Sequence, residues 1–154
     1  MASLKELIRE DLTAAMRAKD ETAKATLRSV ITAISKAEVS GKQQTTLNDD
    51  QVIGVIRSEL GKRKEAAEIY DKAGRNELAA QERSEAEILS VYMPEEIGDE
   101  ALAAIVAEEV ANARAVGIEG PRAMGAVIKS VRERVGATAE GSRISQVVKA
   151  ALTP

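Results

Sequence analysis

The sequence predicts an all-α protein with four helices in an N-terminal part and three in a small C-terminal part. Apolar residues recur at intervals of three and four along most of the chain, which is the spacing of one face of an α-helix. Alternation with a period of two, the pattern of a half-buried strand, is sustained nowhere in the sequence. Pro94 separates the two parts, because proline disfavours helix in the residue before it.

Capping residues and apolar stripes place the four N-terminal helices. A side chain that can cap a helix precedes each of the first three stripes, and a reciprocal capping partner follows in two of them. The third helix is expected to stop at Ala73-Gly74, and the fourth to span about 76–91. The predicted caps are Ser3 with Glu6, Asp20, and Asn48 with Gln51.

Three shorter stripes follow Pro94. Pro121 suits the first turn of the second of these helices. We therefore predict an N-terminal helical domain at 1–94 and a C-terminal three-helix domain at 95–154. A segment of about 60 residues buries only about 60% of its unfolded surface. We therefore expect the second domain to have low stability or to depend on contacts with the first domain for its stability. The stripes run from Leu102 to Ala113, from Met124 to Val135 and from Ile144 to Leu152.

Missing residue types exclude several classes of function. The 154-residue chain has no cysteine and no histidine, which removes thiolate nucleophiles, Ser–His–Asp triads and histidine-based zinc motifs. Tyr70 and Tyr92 are its aromatic residues, so it has no platform for stacking several bases, and we expect them to pack between helices. Carboxylates and lysines stay open as ligands or catalysts. We nevertheless expect no catalytic residue, no metal and no cofactor.

The location predicted from the sequence is the cytoplasm. The N-terminal residues are charged throughout, unlike a signal peptide, and cysteine is absent. No run approaches the roughly 18 apolar residues that a membrane span requires. We therefore expect no contact with a membrane.

Charge is distributed unevenly along the C-terminal part. Residues 95–120 contain one basic residue, Arg114, and seven acidic ones, whereas residues 121–154 contain six basic and two acidic residues. Arg122, Lys129 and Arg132 are spaced by seven and three, which places them on one helical face, opposite the apolar stripe. That face should be solvated. The six cations are Arg122, Lys129, Arg132, Arg134, Arg143 and Lys149.

The stretch GATAEGSR, residues 136–143, has nearly the glycine spacing of a phosphate-binding P-loop. Ser142 and Arg143 stand where that motif has lysine and a hydroxyl, and a helix precedes it rather than a strand, so we do not expect nucleotide hydrolysis. A purely structural interpretation of this stretch is a junction between two helices. Gly136 would end the first helix, and Ser142 would be the N-cap of the next. The same junction could also hold a nucleic-acid phosphate, with Arg143 supplying charge.

Two other charged clusters have simpler interpretations. The basic run 62–64 lies within a helix with glutamates one turn away, which predicts a solvated face with ion pairs. Glu82, Glu85 and Glu87 suggest a carboxylate metal site, but no histidine accompanies them and such spacing is common on exposed helices.

A longer pattern covers residues 62–97. A basic helix continues through Tyr70 into the corner Ala73-Gly74-Arg75, and a glutamate-rich helix then ends in Tyr92-Met93-Pro94. The start of the chain, 4–20, and its end, 124–149, fit the same pattern. Over essentially its whole length the chain thus resembles the YqeY-like family.

The resemblance implies a relative whose partner is known. The YqeY-like family is related to the C-terminal helical and tail regions of GatB, a subunit of the glutamine-dependent aspartyl/glutamyl-tRNA amidotransferase. The tail of that enzyme grips the outer elbow of tRNA, while the chemistry lies on other domains. The resemblance therefore implies a stand-alone module that binds tRNA or another structured RNA. With neighbouring basic residues, the candidate nucleic-acid-binding set is Arg122, Met124, Gly125, Lys129, Arg132, Arg134, Gly141, Arg143 and Lys149.

Two alternatives stay open beside RNA binding. The loop 137–139 is less basic than is usual in the family, and Glu140 replaces an aspartate, which argues against tight RNA binding. A helical protein-interaction adaptor would use the helical surface or the acidic face of residues 95–120. A component associated with glutamine-dependent amidotransferase activity is the third possibility, although no catalytic residue is visible.

Overall fold

Seven α-helices and no strand occur in residues 2–153, the part of the chain that the computed structural model describes. The all-α prediction is confirmed, as is the order of four helices followed by three. Short 3-10 turns at Gly120–Ala123 and Gly136–Thr138 flank the sixth helix. The helices are α1 (Leu4–Ala18), α2 (Glu21–Val39), α3 (Asp49–Lys72), α4 (Asn76–Ser90), α5 (Asp99–Ala115), α6 (Met124–Val135) and α7 (Gly141–Leu152).

The predicted caps of the first three helices are confirmed. The Ser3 hydroxyl accepts the Glu6 N–H, and the Glu6 carboxylate accepts the Ser3 N–H in return. Asn48 and Gln51 form the same reciprocal pair at the start of α3. The Asp20 carboxylate accepts the Ala23 N–H at the start of α2. Each cap satisfies backbone donors that the first turn of a helix leaves unpaired.

The chain divides into two compact units with a boundary between Met93 and Pro94. We call them unit 1 and unit 2. The division coincides with the position of Pro94 in the sequence. That each unit folds as an independent domain stays a prediction.

Unit 1 contains α1 to α4 around one apolar core. α3 and α4 form a long antiparallel hairpin, against which α1 and α2 pack. Lys5 of α1 pairs with Glu38 of α2 at 2.5 Å, and Glu38 also accepts the Leu47 N–H. Because both partners favour the charged form, they hold the pKa of Glu38 below its ordinary value. The largest fully buried side chains of this core are Ile8, Val30, Ile34, Val52, Ile56 and Leu89.

Arg63 does not lie on a solvated face, and this part of the sequence prediction is wrong. Its side chain is buried between α3 and α4, with Nη1 3.0 Å from Glu59 and Nε 3.6 Å from Glu85. Arg63 continues the α3 stripe of Ile56 and Leu60 at helical spacing. That register, which is visible in the sequence, outweighs the basic character of the run 62–64.

Unit 2 packs α5, α6 and α7 around a second core. The Ile97 N–H donates to the Thr138 carbonyl, which holds the segment before α5 against the turn after α6. Pro121 lies in the 3-10 turn before α6 rather than in α6 itself, so the helix begins later than predicted. The core residues are Leu102, Val106, Ala123, Val127, Val131, Val135, Ala139, Ile144 and Val148.

The described residues contain neither a cluster of metal-ligating side chains nor a helix that could span a membrane. No group of three or more acidic side chains is placed to hold a metal ion, so Glu82, Glu85 and Glu87 form no such cluster there. None of the helices in residues 2–153 has the length and apolar composition needed to cross a membrane.

Candidate nucleic-acid interface

One face of α6 carries three of the candidate residues. Gly125, Lys129 and Arg132 follow one another at intervals of four and three, so they lie in one row along the helix. All three are exposed. The opposite face of α6 is buried in the core of unit 2, which fixes the direction in which this row points.

Arg132 lies directly over the first residue of α7. A Cβ atom built on Gly141 would stand 2.5 Å from Arg132 Nη2 and 3.6 Å from its Cζ. The guanidinium therefore fills the space that any side chain at position 141 would need. Glycine at this position lets a cation approach the backbone at the N-terminus of a helix. We call Lys129, Arg132, Gly141 and the first turn of α7 the α6–α7 surface.

The N-terminus of α7 has no side-chain cap. Glu140 is the N-cap residue, but its side chain makes no capping hydrogen bond. Ser142 is the second residue of the helix, so the prediction that it caps α7 is wrong. The 3-10 turn Gly136–Thr138 and the extended residues after it connect α6 to α7. Helix α7 begins at Gly141. Gly136 does end α6, with a φ of 55° that favours glycine.

Arg134 and Arg143 are held by carboxylates of α5. Arg143 Nη2 lies 2.7 Å from Asp99 Oδ1. Arg134 Nη1 lies 2.6 Å from a Glu108 oxygen and 3.2 Å from a Glu109 oxygen. Pairing with Glu108 first, and with Glu109 second, raises the pKa of the Arg134 guanidinium above its usual range. Both arginines therefore have partners within unit 2.

The remaining candidates are dispersed. Arg122 is exposed in the 3-10 turn before α6, so the single helical face predicted for it with Lys129 and Arg132 is interrupted. Met124 is partly buried against the core of unit 2. Lys149 is exposed in the last turn of α7. The nine candidates thus do not form one cluster, and the close contact among them is that of Arg132 with Gly141.

Sequence reasoning did not identify two features of this site. The approach of Arg132 to Gly141 joins residues on different helices, and helical periodicity contains no information on such a contact. Asp99 was not singled out as the partner of Arg143, although both lie in the first turn of their helices. The row 125, 129 and 132 is the part of the site that spacing alone can reveal.

Unit 1 exposes apolar side chains at the turn of its long hairpin. Ile69, near the end of α3, is 66% exposed, and Leu78, near the start of α4, is 41% exposed. Between residues 61 and 85 the buried apolar residues are Ala67 and Ala79. This end of the hairpin therefore has a small buried core, and its exposed apolar side chains are available to a partner.

Comparison with known proteins gives a family and several yeast relatives. A family model described as Yqey-like protein matches residues 5–152. An uncharacterized protein of Schizosaccharomyces pombe is 33% identical over 93 residues, which cover 60% of this chain and 74% of that protein.

Two further relatives share the name altered inheritance of mitochondria protein 41, mitochondrial. The protein of Vanderwaltozyma polyspora is 29% identical over 86 residues, and that of Eremothecium gossypii is 34% identical over 87 residues. Each match covers 56% of this chain and 46% of the relative, so the chain spans less than half the length of these proteins. The names of these relatives give them a mitochondrial location. A cytoplasmic location of this chain stays a prediction.

Proposed function

The chain belongs to the YqeY-like family, and from this premise we propose that unit 2 binds the phosphate backbone of tRNA or another structured RNA. The observation that carries the proposal is the position of Arg132 across Gly141, at the uncapped N-terminus of α7. The occupant of this surface would be a phosphate group. The role is one of binding, without chemistry on the RNA.

The α6–α7 surface combines three features that favour a phosphate. A guanidinium can donate two parallel hydrogen bonds to phosphate oxygens. The N-terminus of a helix presents unpaired N–H groups and a partial positive charge. Lys129 lies one turn before Arg132 and is exposed, so it adds a second cation for a neighbouring phosphate. Together these groups could follow a nucleic-acid backbone for a short distance.

The proposed recognition relies on backbone shape rather than on bases. Tyr70 and Tyr92 both belong to unit 1, and the Tyr92 hydroxyl donates to Asp11 within that unit. Unit 2 therefore has no aromatic side chain on which a base could stack. Phosphate contacts fix position without reading sequence, whereas a folded RNA can be distinguished by its shape. The preference for RNA over DNA comes from the resemblance to the GatB tail.

A binding titration across a salt series tests the proposal. The wild type is compared with a triple variant in which Lys129, Arg132 and Arg143 are all alanine, using mixed tRNA and a duplex DNA of similar length. We expect the wild type to bind tRNA more tightly than DNA, with an affinity that falls steeply as salt rises. The triple variant should lose most of this binding while keeping its helical circular-dichroism spectrum.

A charge-matched control separates the surface from net charge. Replacing three exposed cations of unit 1, Lys42, Lys64 and Lys72, with alanine changes the net charge by the same amount. This control should leave tRNA binding nearly intact. Equal losses in both triple variants, or no binding of tRNA by the wild type at low salt, would contradict the proposal.

A helical protein-interaction adaptor is the second candidate function. It is favoured by the exposed apolar residues Ile69 and Leu78 at the turn of the α3–α4 hairpin. A partner that uses this surface should be retained by the immobilised protein after RNase treatment. The same partner should be lost when both residues are replaced with serine. Retention by the double variant would contradict a role for the hairpin turn.

A further inference from the structure

Three carboxylate–guanidinium contacts with α5 determine which cations of residues 121–154 are available to a ligand. Among the six cations of residues 121–154, Arg134 and Arg143 form ion pairs with α5 in the described residues. Lys129 and Arg132, on the α6–α7 surface, form no such pair there. The acidic segment and the basic segment noted in the sequence are therefore in direct contact through two arginines.

We propose that Asp99 competes with RNA phosphate for Arg143, so that α5 lowers the affinity of unit 2 for a polyanion. The inference rests on the proposed RNA binding and identifies one of its regulating residues. Arg143 is the third residue of α7, in the same turn as Gly141. A phosphate at the N-terminus of α7 would thus meet an arginine that already has a carboxylate partner.

The geometry of the pair makes an exchange of partners feasible. The Asp99 side chain is 99% exposed and that of Arg143 is 26% exposed, so the pair lies at the surface. An exposed ion pair contributes little because water and salt screen it. A phosphate could therefore displace Asp99 at small cost, while the wild type would still bind less tightly than a chain without that carboxylate.

Asp99 also has a local structural role that the test must separate. It is the first residue of α5, where a negative charge interacts favourably with the helix dipole. Glu100, the next residue, has the same charge in the same turn, is exposed, and forms no ion pair in the described part of the chain. The variants Asp99→Asn and Glu100→Gln therefore change net charge and helix dipole interaction alike, and differ in the pair with Arg143.

The experiment measures tRNA affinity at fixed moderate salt for the wild type and both variants. Asp99→Asn is expected to tighten binding by about two- to fivefold, the range that loss of one exposed ion pair allows. Glu100→Gln is expected to change it less than half as much. In a background of Arg143→Gln, Asp99→Asn should give no gain beyond that of Glu100→Gln, because the pair no longer exists.

The outcomes distinguish the two proposals. Binding by the wild type with equal gains from Asp99→Asn and Glu100→Gln would contradict competition by Asp99 and leave RNA binding intact. A gain from Asp99→Asn that persists with Arg143→Gln would contradict it as well. Absence of tRNA binding by the wild type and by Asp99→Asn would contradict the proposed function and the competition together. Thermal melts of all variants would show whether α5 remains folded.

Discussion

Arg63 and Arg132 show how burial separates two roles of one residue type. Arg63 is 9% exposed and has Glu59 and Glu85 within 4 Å, so its charge is compensated inside unit 1. Arg132 is exposed, and its guanidinium lies against a backbone Cα rather than a carboxylate. The first arginine therefore joins α3 to α4, whereas the second has donors available to a ligand.

Arg63→Ala should strongly destabilise unit 1. Removing one partner of a buried ion pair leaves the other charges uncompensated, which costs about 3–5 kcal/mol. Urea unfolding followed by tyrosine fluorescence measures the effect, because both tyrosines belong to unit 1. Lys64→Ala, at the next and exposed position, is the control and should change the free energy of unfolding by no more than about 0.5 kcal/mol. Similar losses in both variants would contradict the role given to Arg63.

Gly141→Ala should weaken tRNA binding without unfolding unit 2. The new methyl group would displace the Arg132 guanidinium, which is the flexible end of a side chain and can move at little cost. Loss of its contact with phosphate should lower the affinity by about two- to tenfold, the value of one hydrogen bond. Gly54→Ala is a matched control, since its Cβ would meet nothing within 4 Å in the second turn of α3. An unchanged tRNA affinity in Gly141→Ala would contradict the position assigned to the phosphate.

The helices were the most predictable elements of this protein. Helical spacing identified all seven, and the capping residues Ser3, Asp20 and Asn48 located the starts of the first three, because these signals are local in the sequence. Ser142 has a residue type that favours an N-cap, but α7 begins one residue earlier, at Gly141, so residue type alone places this cap wrongly. The basic composition of residues 62–64 predicts exposure of Arg63, whereas its register with Ile56 and Leu60 predicts burial, as the structure shows. The contact between Arg132 and Gly141 lay beyond any local signal.

Asn48→Ala should destabilise α3 from its N-terminus. The variant removes the acceptor for the Gln51 N–H and half of a reciprocal capping pair. Loss of such a cap costs about 1 kcal/mol. The change would appear as a lower urea midpoint for tyrosine fluorescence, with Gln43→Ala in the preceding loop as a control. A midpoint equal to that of the control would show that the cap adds no stability.

Glu82→Gln should stabilise the packing of α4 at neutral pH. Burial, and next the charge of Glu85, raise the pKa of Glu82 above its ordinary value of 4.5. The folded state therefore holds the proton more tightly than the unfolded chain, and stability is lost as pH rises through the raised pKa. The gain in the variant should shrink as pH falls to 4.5 and below. Glu87→Gln, at an exposed position of α4, is the control and should change the free energy of unfolding at neutral pH by no more than about 0.5 kcal/mol.

At the scale of the whole molecule, charge distribution matters more than net charge. The chain has a net charge of −3, which alone would disfavour binding to a polyanion. The cations that could bind one are concentrated in residues 121–154, and two of them are paired with acidic groups of α5. Composition and spacing revealed the asymmetry, but only the tertiary structure identifies which cations are paired.

The salt dependence of tRNA binding tests the central proposal most directly. Each phosphate contact contributes about 0.7–0.9 to the slope of log K against log salt concentration. We predict that replacing both Lys129 and Arg132 with alanine lowers the magnitude of this slope by about 1.4–1.8 relative to the wild type. A slope that stays the same in the double variant, with tRNA still bound, would show that the α6–α7 surface does not contact the RNA backbone.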